Sequence, residues 1–356
     1  MRAPAKVNLC LRVLGRREDG FHQLWTIFDA LEFGDELRYQ PREGGGSELR
    51  VDNYDQNGGL SETSAGLPLP PAEDNLVLRA ARAFAEATGL DASGTFFLDK
   101  HIPSGAGLGG GSSDAAAALR ILCERHGVSP VSPRILGLAE RLGADVPFFL
   151  HGGRAWADRR GDRIHPIEAG PVLHYLLLFP GFPSPTGEIF ARHALLSAGT
   201  ERPLGRGGFT PGAGDLSSQA DRSAFEVAAM LGRKGVDSSL DVTAARTFLE
   251  HLDLASSQDR SRGPGAWTIG FFNDLEPAAF EANPLLGTLE GLLDQEGSPR
   301  FCLSGSGSTL FVASLDEASI GELERALSGF LANPRLSEIF PGARLIRTRS
   351  LAIQGR

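Results

Sequence analysis

Residues 100–122 read KHIPSGAGLGGGSSDAAAALRIL, and this stretch decides the fold. A β-prone run, Thr95 to Leu98, leads into a loop holding five glycines between Gly105 and Gly111. Two serines and an aspartate then open an alanine-rich helix that runs to Gly127. Glycines here let backbone N–H groups converge without interference from Cβ atoms, at the positive end of a helix dipole. That is the local chemistry of phosphate binding. A merely flexible linker would not be joined so directly to Ala115–Ala118.

Two familiar phosphate loops fit poorly. Gly105, Gly107 and Gly110 satisfy G-x-G-x-x-G, but a dinucleotide fold needs a second parallel strand ending in an acid about 20 residues later. The chain has Val128–Pro133 (VSPVSP) in that place, and its prolines rule out a central strand. A Walker A loop needs lysine after Gly110, where Gly111 stands, and the protein-kinase lysine and HRD motifs are missing. The loop is of another type, and a dinucleotide-binding oxidoreductase is a distant alternative.

The chain has 356 residues, enough for a large core and an expected two domains. Hydrophobic content of 41% and charged content of 22% are ordinary for a globular protein. The net charge of −9, without a basic block, disfavours nucleic acid as a partner. Cys10, Cys123 and Cys302 are few, odd in number and far apart, against a disulfide framework or a zinc site. No apolar run reaches the roughly 20 residues of a membrane span, and Asn8 and Arg12 interrupt any signal-peptide core. A cytoplasmic protein with no membrane partner is expected.

Outward from the loop, Val7, Leu9, Leu11 and Val13 alternate with Asn8, Cys10 and Arg12, a strand whose polar face also takes Lys6. Asp19-Gly20 signals a turn, followed by strand-like runs at Phe21–Phe28 and Leu31–Tyr39. Residues 41–73 read as an extended loop or insertion. The spacing predicts helices over Asp74–Thr88 and Ala115–Arg125, and from Ser132-Pro133 to Leu142. Val172–Phe179 reads as a strand buried on both faces, and Thr186–Leu196 as a short helix. A second Gly/Ser-rich region, about 197–265, holds possible helices at Ser223–Leu231 and Val242–Leu252. Asn273–Leu293 is helical but broken at Pro277 and Pro284; Phe301–Ala313 is strand, glycine-serine turn, strand; Ala318–Leu331 is a helix and Leu345–Thr348 a last strand. The order is mixed α and β without steady βαβ alternation.

With the loop, Ala3–Asn8 (APAKVN), Leu142–Pro147 (LGADVP) and Leu303–Gly307 (LSGSG) in this order, the chain resembles the GHMP kinase superfamily. Gly15–His22, Pro185–Phe190 and Asn273–Pro277 add to the likeness, and Gly20-Phe21-His22 (GFH) with NDLEP narrows it to members whose polyol acceptor carries a cytidine diphosphate. Other GHMP kinases of the homoserine or mevalonate type, and a catalytically silent nucleotide-binding relative, are the alternatives.

The resemblance implies an α/β (α+β) fold of two domains. An N-terminal ATP-binding domain of the ribosomal-protein-S5-domain-2-like kind would cover 1–168, and a ferredoxin-like C-terminal domain 169–356, with the site in the cleft between them. It implies ATP and Mg²⁺ as cofactors, a small-molecule acceptor, and a monomer or weak homodimer. Asp145 is the implied base for the acceptor's hydroxyl and Lys6 its cationic partner; by itself Asp145 would read as a turn or capping aspartate. The ATP phosphates would rest on Pro103, Ser104, Gly105, Ala106, Gly107, Leu108, Gly109, Gly110, Gly111, Ser112 and Ser113, with Lys100 nearby. Ser112 or Ser113 would reach Mg²⁺, although both equally suit a helix cap. Asn8, Phe21, His22, Thr186 and Phe190 fall on the acceptor side, Phe21-His22 offering a stacking face and a hydrogen-bonding edge to cytosine. The usual residue at Phe21 is tyrosine, so the ring is kept and the hydroxyl lost.

Overall fold

Alternating apolar residues build β1 (Arg2–Arg16), which pairs antiparallel with β2 (His22–Pro41) across a tight turn. The two predicted runs, Phe21–Phe28 and Leu31–Tyr39, are one strand, because Asp29 and Ala30 stay paired with Val7 and Lys6. The β1–β2 register shifts at three places, one of them between Asn8 and Cys10. An extra residue there turns the following side chains to the opposite face. Val7 and Leu9 therefore share a core cluster with Cys10, while Leu11 joins a different one. The predicted alternation through Val13 is corrected at that bulge; Lys6 and Asn8, upstream of it, do share a face.

The computed structural model describes residues 1–54, 60–61, 63–64, 67–68, 74–167, 170–197 and 271–351. The helices expected at Ser223–Leu231 and Val242–Leu252, with nearly all of segment 197–265, lie outside these residues. Within 41–73 the expectation of a loop is corrected in part: Ser47–Tyr54 is β3, followed by the two-residue strands β4 (Leu60–Ser61), β5 (Thr63–Ser64) and β6 (Leu67–Pro68).

Helix α1 (Leu76–Thr88) starts where the Asn75 side chain accepts the Val77 N–H and stops at Gly89 in the left-handed region. Strand β7 (Gly94–Lys100) joins β2 to β3, and the glycine loop leads to α2 (Gly110–His126). Ala115 to Ala118 are all buried, their small side chains letting this helix lie close on its neighbours. After α3 (Pro133–Leu142), the apolar run at Pro147–Leu150 forms a short helix, α4 (Val146–His151). Strands β8 (Arg154–Asp158) and β9 (Arg163–Ile167) complete this part of the first sheet, β8 pairing with β2.

Strand β10 (His174–Phe179) belongs to a second sheet, and α5 (Thr186–Ser197) follows it. Two residues, β11 (Phe272–Asn273), return to the first sheet, parallel to β1. Prolines in the first turns of α6 (Glu276–Ala282) and α7 (Pro284–Gln295) divide the predicted helical stretch as expected. Then come β12 (Cys302–Leu303), β13 (Leu310–Ser314), α8 (Glu317–Leu331), α9 (Pro334–Ile339) and β14 (Arg344–Arg349). The second sheet runs β12-β13-β10-β14, antiparallel throughout.

Three clusters organise the core. The first lies between the first sheet and α1 to α4. The second is shared by both sheets: Val7, Leu9, Trp25 and Ile27 meet Tyr175, Leu177 and Phe311. The third puts Leu176 and Leu178 of the same strand β10 against α6, α7 and α8. Strand β10 is buried on both faces, as its unbroken apolar run predicts. Ile102, Ala106 and Leu108 of the glycine loop insert into the shared cluster. That anchors the loop beside both sheets.

Candidate active site

The strand register that pairs Lys6 with Ala30 buries the Lys6 ammonium, which is 4% exposed and faces Asp145 at 3.6 Å. It also donates to Asn8 Oδ1 at 2.6 Å and lies over the Phe28 ring. Asn8 in turn donates to Thr26 Oγ1 at 2.8 Å, and the Thr26 hydroxyl donates to the Cys10 carbonyl at 2.7 Å. Burial pushes the Lys6 ammonium below the usual lysine range, while the neighbouring Asp145 carboxylate opposes that shift.

Asp145 stands at the N-cap position of α4, yet its side chain makes no capping hydrogen bond. The capping role open to it in the sequence is therefore not the one it takes. Its carboxylate, 30% exposed, faces Lys6 from a position that solvent still reaches. A buried cation, a partly open carboxylate and an oriented amide thus meet at one point, the arrangement that proton abstraction from a bound hydroxyl needs.

The glycine loop passes beside this point. The Lys6 N–H donates to the Leu108 carbonyl at 3.0 Å, and a Cβ on Gly109 would stand 3.1 Å from Lys6 Cγ. Gly109 is the N-cap of α2, and the Ser113 N–H closes the first helical bond onto its carbonyl at 2.9 Å. The N–H groups of Gly110, Gly111 and Ser112 have no intrahelical acceptor, which gives an anion three donors at a dipole's positive end. Ser112 and Ser113 lie inside the first turn, so neither caps the helix; the buried Ser113 hydroxyl has no hydrogen-bond partner among the described residues.

The turn between β12 and β13 closes over the loop. Ser304 Oγ donates to the Gly107 carbonyl at 3.0 Å, and the Thr309 N–H donates to the Ala106 carbonyl at 3.2 Å. A Cβ on Gly107 would meet the Ser304 carbonyl oxygen at 2.2 Å, and one on Gly305 would lie 3.2 Å from Lys6 Nζ. Both positions need glycine for close approach. Ser184 N–H and Oγ tie Gly105 to Ser306, and Thr186 Oγ1 lies 2.8 Å from Ser306 Oγ.

Lys100 is not the solvated strand-end lysine that one reading of the sequence allows. Buried to 7% exposure, its ammonium holds Asp35 and, at 2.8 Å, Asp114, and a Cβ on Gly110 of the loop would lie 2.9 Å from its Nζ. Asp35 also accepts the Ile102 N–H at 2.7 Å. Lys100 thus stitches the end of β7 to α2 beneath the loop and contributes to the site by fixing its floor. Pro103 is buried beside it, while Ser104 and Gly105 reach solvent.

His22 stacks on Phe190 of α5, with ring centroids 5.0 Å apart and planes at 26°. Phe21 points outward at 54% exposure. His22 lies four residues before Thr26 on β2, roughly 13 Å along a strand, so the aromatic group and the Lys6–Asn8 point line one strand pair. Burial and the charge of Arg16 push the imidazole below its usual range, favouring its neutral form. The structure therefore brings Lys6, Asn8, Asp145 and the glycine loop together; farther along β2, His22 stacks with Phe190, and Phe21 stands exposed just before it.

Sequence reasoning missed Thr26, which orients Asn8, and gave no role to Asn273. The Asn273 amide donates to the carbonyls of Leu303 (2.8 Å) and Gly305 (2.6 Å), holding the turn over Lys6. The signal for Thr26 was a polar residue inside an apolar strand run; for Asn273 it was a polar residue right after Phe271-Phe272.

Residues 75–153, which hold the loop, α2 and Asp145, match the family "GHMP kinases N terminal domain". A 4-diphosphocytidyl-2-C-methyl-D-erythritol kinase from Alkalilimnicola ehrlichii is 45% identical over 193 residues, 54% of this chain and 61% of that protein. The match to the Pseudomonas aeruginosa kinase of the same name likewise spans only 62% of its length. The same-named kinase of Granulibacter bethesdensis is 34% identical over 338 residues, 92% of this chain and 91% of its own. Among solved structures, a 4-(cytidine 5'-diphospho)-2C-methyl-D-erythritol kinase superposes with a TM-score of 0.61 at 29% identity, covering 99% of both chains. The Leishmania major mevalonate kinase, at 14% identity and a TM-score of 0.57, shares the fold. The likeness to the Granulibacter kinase covers nearly the full length of both chains, so the chain belongs to the 4-diphosphocytidyl-2-C-methyl-D-erythritol kinase family.

Proposed function

We propose that the chain transfers the γ-phosphoryl group of ATP to the 2-hydroxyl of 4-diphosphocytidyl-2-C-methyl-D-erythritol, a step of non-mevalonate isoprenoid precursor synthesis. The observation that carries this reading is the 3.6 Å approach of Lys6 to an Asp145 that is not spent on capping its helix. Phosphoryl transfer asks mainly for positioning and charge neutralisation. Asp145 orients the acceptor hydroxyl and takes its proton. Lys6, held by Asn8 and shielded from water, offsets charge on the transferred group. The N-terminus of α2 cradles the ATP phosphates, and the turn at Ser304–Ser308 keeps water out. Phe21, His22 and Phe190 receive the cytosine, and Thr186 lines the path between.

Among the described residues no group of three His, Cys, Asp or Glu side chains could hold a metal ion. A Mg²⁺ that arrives on nucleotide phosphates needs few protein ligands, and the unpartnered Ser113 hydroxyl, with Ser112 beside it, fits that demand. When bound, the ion neutralises phosphate charge. The reading divides the chain near residue 168, between β9 and β10, and sets it in the cytoplasm as a monomer or weak homodimer.

The test is incubation of the purified protein with ATP, Mg²⁺ and the diphosphocytidyl substrate, followed by mass spectrometry for one added phosphate. Asp145→Asn is expected to lower kcat by about 10²–10⁴-fold with its melting temperature preserved. Near-normal turnover by that variant would overturn the role of Asp145.

A further inference from the structure

We infer that Arg160 is a specificity-determining positioning residue, the rear plate of a stacking platform whose front is Phe21. This rests on the reading of Phe21 as a cytosine contact.

Phe21 is more than half exposed, at 54%. Its setting is nonetheless rigid. The Phe21 N–H donates to Asp19 Oδ1 at 3.1 Å, and its carbonyl accepts the Arg17 N–H at 2.8 Å. The guanidinium carbon of Arg160 lies 4.9 Å from the ring centroid. Arg160 is itself locked. Its Nε donates to Asp162 Oδ2 at 2.8 Å, its Nη2 lies 2.7 Å from the same oxygen, and Nη2 also donates to the Glu140 carbonyl at 3.2 Å. Asp162 is only 2% exposed, so the anchor under the guanidinium is buried.

With a cation packed on the ring and more than half of the side chain still open, the remaining surface is free for a second planar partner. An aromatic face backed by a fixed cation is pre-organised for such stacking, because the ring's ordering cost is met before the ligand arrives. Phe21 has no ring hydroxyl to anchor it by a hydrogen bond, and the guanidinium packs against its ring instead. Glu140 lies in the last turn of α3, five residues before Asp145, so the platform and the base share one support.

The experiment is a double-mutant cycle on the full chain, with Phe21→Leu, Arg160→Ala and the double variant. Steady-state kinetics are run with the diphosphocytidyl substrate and with ATP, and cytidine 5'-diphosphate serves as a binding probe. Arg160→Ala is expected to raise the acceptor KM and weaken the probe by about two- to fivefold, with much smaller shifts in kcat and in the ATP KM. In the Phe21→Leu background the same substitution is expected to do almost nothing. Additive effects in the cycle, or a loss confined to kcat, would overturn the inference. If the unaltered protein failed to phosphorylate the cytidyl acceptor, the proposed function itself would fall, and the platform with it.

Discussion

One carboxylate oxygen, Asp114 Oδ1, is buried with no hydrogen-bond partner among the described residues, while its twin binds Lys100. Two buried carboxylates, Asp35 and Asp114, share that one ammonium, and both cannot be charged at low cost. Burial, with Asp35 adding to it against the pull of Lys100, raises the Asp114 carboxyl to about 8. The sign follows from linkage. A carboxyl with a raised folded value keeps its proton longer in the native state, so the stability it contributes is full below the unfolded value and lost as pH rises toward 8. Urea titrations of the wild type and Asp114→Asn are therefore expected to show the wild type's relative stability falling from pH 5 to pH 9; a pH-independent difference would contradict the shared-ammonium account. Lys100→Met, by contrast, leaves two buried carboxylates without a cation and is expected to cost about 3–5 kcal/mol. The sequence showed a lysine at a strand end. It could not show that residues 65 positions before and 14 after would converge on it.

At the scale of elements, the glycine loop and the turn at Ser304–Ser308 form one unit, closed where backbone meets backbone. Gly107 has φ +75°, and any Cβ there would meet the Ser304 carbonyl oxygen. Gly107→Ala is expected to lose at least about 1–2 kcal/mol from conformation alone, and more from separation of loop and turn, read as a lower melting temperature and a higher ATP KM. Gly111→Ala is the matching control for stability. Gly111 is helical, its Cβ would find only Leu76 at an ordinary 3.5 Å, and the change is expected to leave the melting temperature level or raise it. The loop, the helices around it and the double burial of β10 were legible because each rests on local spacing. The bulge after Asn8 was not, since nothing in VNLCLRV marks which residue is extra until β2 sets the register. The candidate site was legible as separate pieces. Lys6, Asp145 and the acceptor-side residues came through resemblance, whereas the supports Thr26 and Asn273 depend on pairings that only the folded chain makes.

For the whole molecule, the decisive feature is that the two sheets share a core instead of owning one each. A polar tie reinforces that apolar layer. Asp29 on β2 accepts hydrogen bonds from Arg154 on β8 (2.8 Å), from the Tyr175 hydroxyl on β10, and from Ser350 just beyond β14 (2.7 Å). Arg154 and Asp29 belong to the first sheet and Tyr175 to the second, Ser350 follows the last strand of the second sheet, and all four are buried. Such a network raises stability only while complete, and removing its central anion strands a buried guanidinium. Asp29→Ala is thus expected to cost about 3–5 kcal/mol, against about 1–3 kcal/mol for Tyr175→Phe, which leaves Asp29 with its other donors. The loss should also fall on both halves together, because Tyr175 and Phe311 of the second sheet pack with Val7 and Trp25 of the first. Native-state hydrogen exchange can read β7 and β13 separately in one sample. If the shared core governs the fold, Asp29→Ala lowers protection in both strands by the same free energy; if protection falls in β7 while β13 keeps its own, the sheets are independent units and the tie is only a local contact.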